Sequence, residues 1–411
     1  MVQRISGFQV SAEVDLLMRL AAGGELTSSS VEAEGAFDWL LFRRLVAKNR
    51  LEPLIAEALP GLKASGEGEV MLRGIEQDRK AYALVALQQM YVLTQIITLL
   101  SESGIRALAL KGPLLAISLF GNPGKRFSRD LDIFVDPDRF DEAHKLMLGA
   151  GWDWSDAGAV RTPKRYKKWR EYLHHAEYEK GGICFELHWQ LLGDEYTYED
   201  RSTLFERLWQ QRRVEEIGGI PVCTLGDMDN AAYLTMHAAI HGFNRMRWLV
   251  DIYRLLELRG WDIEPLLTHM EDAHQRIVLL EALLLIYRCP QFPVKPIESS
   301  LFSIRRQEGD VLLETQDALA KDMSCALELT EMLMPILLSA KPEEESLDLR
   351  RYHQRISAML GKRNAFMSFL RHMQPKYYEW QRFDFPDSLY FLYHVVHPFY
   401  RLWQISALYR R

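Results

Sequence analysis

Hydrophobic and polar positions follow a helical period over most of the chain. Apolar residues recur every three or four positions from about 8 to 60 and from about 67 to 103, which is the spacing of one face of an α-helix. Gly104 ends the second segment, as glycines often do at helix C-termini. From 225 to 411 the pattern again predicts mostly helix, interrupted by prolines and by a charged stretch at 305–310 that we expect to be an exposed connector.

Between residues 105 and 224 the period shortens to two, which is typical of strands. The predicted strands lie at 105–110, 131–135, 172–179, 183–189 and 213–224. The last of these contains Gly218-Gly219 and is expected to fold back as a hairpin. The predicted fold class is α+β: a small mixed-sheet core flanked by N-terminal helices and a large C-terminal helical region. The corresponding domains are 1–104, 105–224 and 225–411.

Composition changes this picture little. The 411 residues are 48% hydrophobic and 26% charged, a globular balance with enough apolar material for more than one core. The net charge of -6 argues against a surface that tracks a long nucleic acid, because such a surface needs positive charge. The four cysteines show no metal-finger spacing, and reduced thiols suit the cytoplasm. Polar residues interrupt the apolar windows at 81–100 and 277–287, which therefore predict buried helices and not membrane spans.

Candidate chemistry is concentrated in two short segments, Lys111-Gly112 and Asp130-Leu131-Asp132. Because side chains alternate along a strand, Asp130 and Asp132 point to one face while Leu131 points into the core. Paired carboxylates on one strand suit a divalent metal that holds a phosphate chain. The glycine turn at Gly112 allows the backbone to approach that phosphate.

A third carboxylate follows on a later predicted strand, where Glu186 and His188 share a face. If this strand lies beside Asp130 and Asp132, three carboxylates converge, enough for two metals roughly 3.5–4 Å apart. An Asp-x-Asp pair alone also fits an ordinary exposed strand face. In combination with Gly112 and Glu186, the metal site is the favoured interpretation.

These elements, in this order, resemble the polymerase-β-like nucleotidyltransferase superfamily, and more closely its bacterial uncharacterised nucleotidyltransferase family. The similarity covers roughly 105–260 and is carried by Leu110–Ala116, Asp130–Asp132, Glu186–Trp189, His237–His241 and Trp248–Asp251. The resemblance implies a nucleotidyltransferase core that moves a nucleoside monophosphate from an NTP to an acceptor, with Mg²⁺ or Mn²⁺ and with release of pyrophosphate. It implies that Asp130, Asp132 and Glu186 are the catalytic and metal-binding residues. The acidic net charge favours a small molecule, a peptide or a protein as the acceptor.

The chain departs from the superfamily pattern at Pro113, because a serine or threonine usually follows the glycine there. Phosphate binding then depends on backbone N–H groups and on side chains near the turn and the aspartates. The nucleotide-binding candidates are Lys111, Gly112, Ser128, Arg126 and Arg129. Two alternatives stay open: a transferase repurposed for sugar nucleotides, which also use Asp-x-Asp pairs, and a non-catalytic nucleotide-binding module, which the departure at Pro113 motivates.

Two histidines are candidates for the acceptor side of the site. His237 and His241 lie four residues apart on one predicted helix face, without the His-Glu-x-x-His pattern of zinc proteases. We expect them to face the core, hydrogen-bonded to a carboxylate such as Asp251, and to line the acceptor side. His188 is a further acceptor-side candidate: it either tunes Glu186 or is an ordinary core histidine.

The basic stretch at 161–170 lies between the second and third carboxylate strands. One interpretation has it overhanging the site, with Lys167 on the acceptor side and Tyr166 or Trp169 stacking on a base. The other interpretation is a solvated loop.

Overall fold

The computed structural model describes residues 2–8, 10–23, 37–62, 64, 66–193, 200–270, 272–338, 345–359, 375 and 377–408. Residues 24–36 and 360–374, which fall in stretches predicted to be helical, lie outside the described residues. The structure is mixed α+β, with helices on both sides of a mixed sheet. The predicted fold class is confirmed.

The helices carry most of the chain. They are α1 (Ala12–Ala21), α2 (Trp39–Asn49), α3 (Glu52–Ile55), α4 (Glu67–Glu102), α5 (Pro113–Phe120), α6 (Phe140–Gly149), α7 (Pro163–Tyr172), α8 (Arg201–Gln210), α9 (Asp227–Ile240), α10 (Met246–Leu258), α11 (Glu264–His269), α12 (Ala273–Arg288), α13 (Ala320–Leu338), α14 (Glu345–Met359), α15 (Tyr377–Phe383) and α16 (Phe391–Leu408).

The strands form two sheets. They are β1 (Val2–Ser6), β2 (Ala107–Ala109), β3 (Asp130–Val135), β4 (Asp153–Trp154), β5 (His175–Lys180), β6 (Ile183–His188), β7 (Arg213–Ile217), β8 (Ile220–Thr224), β9 (Ile297–Glu298), β10 (Phe302–Gln307) and β11 (Asp310–Thr315). The larger sheet has the order β4-β5-β6-β3-β2-β8-β7, and the smaller has the order β1-β11-β10-β9.

Strand β3 occupies the middle of the larger sheet. It runs antiparallel to β2 and parallel to β6, and its register sets Asp132 opposite Glu186 and Asp130 opposite Cys184. Leu131 and Ile133 are buried in the same core as Ile96 and Leu100 of α4, so the aspartates are left on the other face. The predicted neighbourhood of the two carboxylate strands is confirmed.

The second sheet corrects two sequence predictions. The charged stretch at 305–310, expected to be a connector, comprises the end of β10, a hairpin turn and the first residue of β11. The turn residues Glu308 and Gly309 have positive φ of 52° and 86°. Such angles suit a tight two-residue hairpin turn. Strand β1 pairs with β11, so the first residues of the chain are extended and the C-terminal region is not purely helical. These strands were not predicted because they are short and carry charged residues on their outward faces, so no apolar run marks them.

The strand predicted at 172–179 begins later than expected. Tyr172 is the last residue of α7, and β5 starts at His175 and pairs with β6 across Gly181-Gly182. Both glycines have positive φ, 58° and 78°, which fits this tight turn. The hairpin itself is confirmed, as is the β7–β8 hairpin with its Gly218-Gly219 turn.

The two apolar windows differ in burial. Residues 277–287 of α12 are all buried, as predicted. Among the described helices, α4 is long and apolar enough to cross a membrane by length and composition alone, and only 39% of its most apolar window is buried. That is weak support for a span. Gln89 in this helix is buried and donates to the Ser128 carbonyl at 3.3 Å, whereas Leu84, Leu87 and Tyr91 are exposed.

Residues from different predicted domains pack together in the same hydrophobic cores. One core joins residues of α1 and α2 with Leu108 of β2 and with α9–α13, and the other joins α4 with β3, β6 and Tyr393 of α16. The division into 1–104, 105–224 and 225–411 stays a prediction about chain organisation.

Glu281 of α12 is a charged residue inside the first of these cores. It is 0% exposed, and its Oε2 accepts a hydrogen bond from the Tyr352 hydroxyl of α14 at 3.1 Å. Its Oε1 has no hydrogen-bond partner among the described residues. Burial raises the pKa of this carboxyl well above its ordinary value of 4.5, since a buried charge without a cation is costly.

Glu281→Gln is expected to stabilise the protein at pH 8 and to change stability little near pH 4.5. The folded-state pKa lies above the unfolded value, so the stability of the protonated form is fully present below about pH 4.5 and is lost as pH rises. Glutamine keeps the volume and does not ionise, and the expected gain at pH 8 is on the order of 1–3 kcal/mol. Thermal melting at both pH values measures this. The exposed Glu328→Gln serves as control, and an equal effect of Glu281→Gln at both pH values would contradict the prediction.

Candidate active site

The candidate site lies on the face of the β3–β6 pair that points away from Leu131 and Ile133. Ligand atoms of Asp132, Glu186 and His188 lie within 4.8 Å of one another. His188 Nε2 is 3.4 Å from Asp132 Oδ1 and 3.2 Å from Glu186 Oε2. The parallel register creates this cluster, because it places two carboxylates directly opposite one another across adjacent strands.

Asp132 is buried and ionised. Burial alone raises its pKa, but the Lys111 ammonium and His188 hold the pKa of Asp132 well below its usual range. Lys111 Nζ lies 3.0 Å from Oδ1 as an ion pair, yet neither carboxylate oxygen accepts a hydrogen bond of regular geometry from the described residues. Two buried anionic oxygens with unfilled acceptor positions suit a cation.

Asp130 stands at the start of β3, next to this cluster. Burial raises its pKa, and the charges of Asp132 and Glu186 raise it further. Asp130 is not among the ligand atoms that converge within 4.8 Å, and it remains a predicted metal ligand. Negative charge from three carboxylates therefore gathers at one point of the sheet, and oxygen donors of this kind fit Mg²⁺.

Lys111 links the carboxylates to α9. The charge of Asp132 outweighs the effect of burial and raises the pKa of Lys111 above its ordinary value, so this lysine stays protonated. Its Nζ is also 3.3 Å from His237 Nε2 and 5.8 Å from the centroid of the Tyr233 ring. Burial and the neighbouring Lys111 charge hold the pKa of His237 well below 6.5. His237 is therefore neutral, and its Nε2 accepts from Lys111.

Asp251, which the sequence predicts to be hydrogen-bonded to the histidines, is bonded to Arg126 instead. Asp251 of α10 accepts from Arg126, with Nε–Oδ1 at 2.9 Å and Nη2–Oδ2 at 2.9 Å, and both side chains are buried. The predicted histidine–Asp251 bond is wrong. This contact satisfies the Arg126 guanidinium, which sequence reasoning assigned to phosphate. His241 is exposed and stacks on Trp248 with ring centroids 5.1 Å apart.

The other phosphate candidates surround the turn before α5. Gly112 has φ 75° and ψ -150° and precedes the helix directly, with Leu114 and Leu115 supplying N–H groups that have no partner within the helix. Ser128 donates its hydroxyl to the Asp130 carbonyl at 2.8 Å. Arg129 is exposed beside Asp130.

Gly112→Ala is expected to destabilise the protein by about 1–3 kcal/mol, because its backbone conformation is strained for any residue with a Cβ. It is also expected to weaken nucleotide binding, since relief of that strain moves the turn. Gly121→Ala is the matched control: Gly121 also has positive φ, 70°, but ends α5 away from the aspartates. Unfolding measured by urea titration and nucleotide binding measured by calorimetry separate the two effects. Equal losses of nucleotide affinity in both variants would contradict a phosphate role for the Gly112 turn.

The basic stretch at 161–170 is mostly helix α7 and not a loop. Trp169 is fully buried and donates Nε1 to Asp156 at 2.8 Å, and the Tyr166 hydroxyl donates to Asp141 at 2.7 Å. Arg165 is buried and bonds Asp384 at 2.9 Å. Stacking of Trp169 on a base is therefore excluded. Lys167 is exposed, and its acceptor role stays a prediction.

Two further histidines lie at the start of the β5 region. His174 and His175 lie beside His188, with ring centroids 5.7 and 5.0 Å from it. A sequence pattern could have indicated this cluster. A His-His pair stands at the start of one strand of a predicted hairpin, and a third histidine stands at the end of the other strand.

Comparison with known proteins identifies a matching family. The model of a family described as uncharacterised nucleotidyltransferase matches residues 35–290, which include both carboxylate strands. An antigenic nucleotidyltransferase-like protein from Paracoccidioides brasiliensis is structurally similar at 13% identity over 44% of this chain and 75% of its own, with a TM-score of 0.25. No curated protein matches the sequence significantly. The chain belongs to the uncharacterised nucleotidyltransferase family.

Proposed function

We propose that the protein transfers a nucleoside monophosphate from an NTP to a small-molecule, peptide or protein acceptor in a reaction that depends on a divalent metal. The observation that carries this proposal is the β3–β6 register, which sets Asp132 opposite Glu186 with Asp130 on the same strand. Membership of a nucleotidyltransferase family supports the reaction class.

The metal would be held by Asp130, Asp132 and Glu186. Mg²⁺ or Mn²⁺ bound there would neutralise the triphosphate and polarise the reacting phosphoryl group. The carboxylates offer the hard oxygen donors that such a metal needs, and the unfilled acceptor positions of Asp132 fit it.

The remaining groups of the site orient the reactants. The backbone N–H groups at the start of α5 face phosphate oxygens, assisted by the positive end of the helix dipole. An acceptor oxygen forms a bond to the α-phosphorus while the bond from that phosphorus to the bridging oxygen of pyrophosphate breaks. The acceptor's proton passes to Glu186, provided that the carboxylate lies within about 3 Å of the attacking oxygen.

Lys111 sets the charge at the centre of the site. In the structure its ammonium is paired with Asp132, so one positive charge is already fixed beside the carboxylates. This charge holds Asp132 in the ionised form that a metal requires.

The decisive experiment measures nucleotide binding and pyrophosphate release with each NTP in Mg²⁺ or Mn²⁺. Wild type is compared with Asp130→Ala/Asp132→Ala, and sugar nucleotides are included as a second set of ligands. Metal-dependent NTP binding that the double variant loses, with pyrophosphate released when acceptor candidates are added, supports the proposal. Preference for a sugar nucleotide, or the absence of any nucleotide binding by folded wild type, would overturn it.

A further inference from the structure

Three histidine side chains gather where β5 and β6 pair. The antiparallel register sets His175 directly opposite His188, and His174 precedes β5. The ring centroids are 4.5 Å apart for His174–His175, 5.0 Å for His175–His188 and 5.7 Å for His174–His188. One nitrogen from each ring lies within 4.8 Å of the other two.

Buried nitrogens of two of these rings have no hydrogen-bond partner within the described chain. His188 is only 3% exposed; its Nε2 faces Glu186 Oε2 at 3.2 Å and Asp132 Oδ1 at 3.4 Å, and its Nδ1 makes no hydrogen bond within the described chain. The buried Nδ1 of His175 also has none. A buried polar atom that is left without a hydrogen-bond partner destabilises the fold. Buried imidazole nitrogens that converge without hydrogen bonds are what a metal ion satisfies.

We propose that His174, His175 and His188 bind a transition-metal ion of the Zn²⁺ class, at a position that adjoins the carboxylate site of Asp130, Asp132 and Glu186 through His188. Imidazole nitrogen favours Zn²⁺ and its neighbours, whereas Mg²⁺ prefers oxygen ligands and keeps its waters. Three protein ligands would leave a coordination position open to water or to a substrate atom. The site does not depend on the proposed nucleotidyl transfer.

Neighbouring carboxylates support the choice of nitrogen. His175 Nε2 faces two carboxylates, with Glu177 Oε1 at 3.6 Å and Glu186 Oε2 at 3.9 Å. The unpartnered Nδ1 is then the nitrogen left for the metal. Histidine ligands typically donate their second nitrogen to a carboxylate in this way. His188 borders both sites, because its Nε2 lies 3.2 Å from Glu186 Oε2.

The test uses full-length protein without a polyhistidine tag, stripped of metal by a chelator and titrated with Co²⁺. Wild type is expected to show the visible absorption bands of nitrogen-coordinated Co²⁺, and Zn²⁺ is expected to displace them. His174→Ala/His175→Ala should weaken Co²⁺ affinity by more than the roughly 10–100-fold typical of lost outer-shell partners. His394→Ala, which removes an exposed histidine of α16, and Asp130→Ala should keep the bands.

A second variant guards against misfolding of the first. His175→Gln keeps a polar side chain of similar size at a half-buried position, and it should reduce the rise in melting temperature that Zn²⁺ gives to wild type. Absence of Co²⁺ bands in wild type, or equal Co²⁺ affinity in wild type and both histidine variants, would overturn the site. Loss of bands in Asp130→Ala would also overturn it, because the metal would then belong to the carboxylates. None of these readouts requires nucleotidyl transfer.

Discussion

Asp132→Asn is expected to reduce nucleotidyl transfer by at least about 10²–10³-fold, comparable to the loss of a group that stabilises transition-state charge. Asp132 is the most buried of the three carboxylates, and Lys111 and His188 keep it ionised. Asparagine has the same shape but no negative charge. The substitution therefore removes the anionic oxygen that would hold the metal while keeping the shape of the side chain.

Stability needs its own control, because asparagine leaves Lys111 buried without its partner. Removing one member of a buried ion pair is usually costly, whereas replacing both is close to neutral. We therefore expect Lys111→Met/Asp132→Asn to melt closer to wild type than Asp132→Asn does, without recovering activity.

Glu179→Gln is the matched control for a carboxylate of the same sheet, since Glu179 is exposed on β5. It is expected to retain full transfer. Steady-state pyrophosphate release together with thermal melting measures these effects. Transfer by Asp132→Asn within a few-fold of wild type would show that Asp132 is not a metal ligand.

Breaking the Arg126–Asp251 pair is expected to cost about 3–5 kcal/mol of folding stability. Both side chains are buried, and the guanidinium bonds both carboxylate oxygens. The pair joins the segment before β3 to α10, so its loss affects the position of the aspartate strand as well as stability. Chemical denaturation of Arg126→Met and Asp251→Leu measures the effect.

Substitution of Arg126 and substitution of Asp251 should not reduce the folding stability equally. Burial and the charge of Arg126 lower the pKa of Arg247 to about 9, although the charge of Asp251 opposes this shift. Asp251→Leu leaves Arg126 and Arg247 facing each other without an anion, whereas Arg126→Met leaves Asp251 beside Arg247. We expect Asp251→Leu to be the more destabilising substitution, and Arg126→Met/Asp251→Leu to be less destabilised than either single variant.

The exposed Arg129→Met is the matched control for loss of an arginine in this segment and is expected to leave stability nearly unchanged. A reversed order of the two single variants, or simple additivity in the double variant, would contradict the coupling of Arg126 with Asp251.

The alternation of polar and apolar residues in two segments was sufficient to predict which residues share the carboxylate-bearing face of the sheet. The pattern of Asp130-Leu131-Asp132 and of Glu186 separates core from exposed positions, and a strand has only two faces. The parallel pairing of β3 with β6 was not visible, because the register depends on the packing of the whole sheet.

Contacts between distant segments could not be predicted from the sequence, for a different reason. Arg126 and Asp251 are 125 residues apart, and the charge of an arginine beside two aspartates fits phosphate as well as it fits a buried ion pair. The basic pattern of 161–170 likewise gives no sign that Trp169 and Arg165 are core residues, because their partners, Asp156 and Asp384, lie on separate segments.

The pairing of β1 with β11 has a consequence for synthesis of the chain. Residues 2–6 are synthesised long before residues 310–314, with which they pair, so this strand has no partner until the segment between them has been made. Closing so long a loop is slow, and an unpaired strand is prone to aggregation in the interval. Early binding by a chaperone, or transient pairing with a neighbouring segment, would protect it.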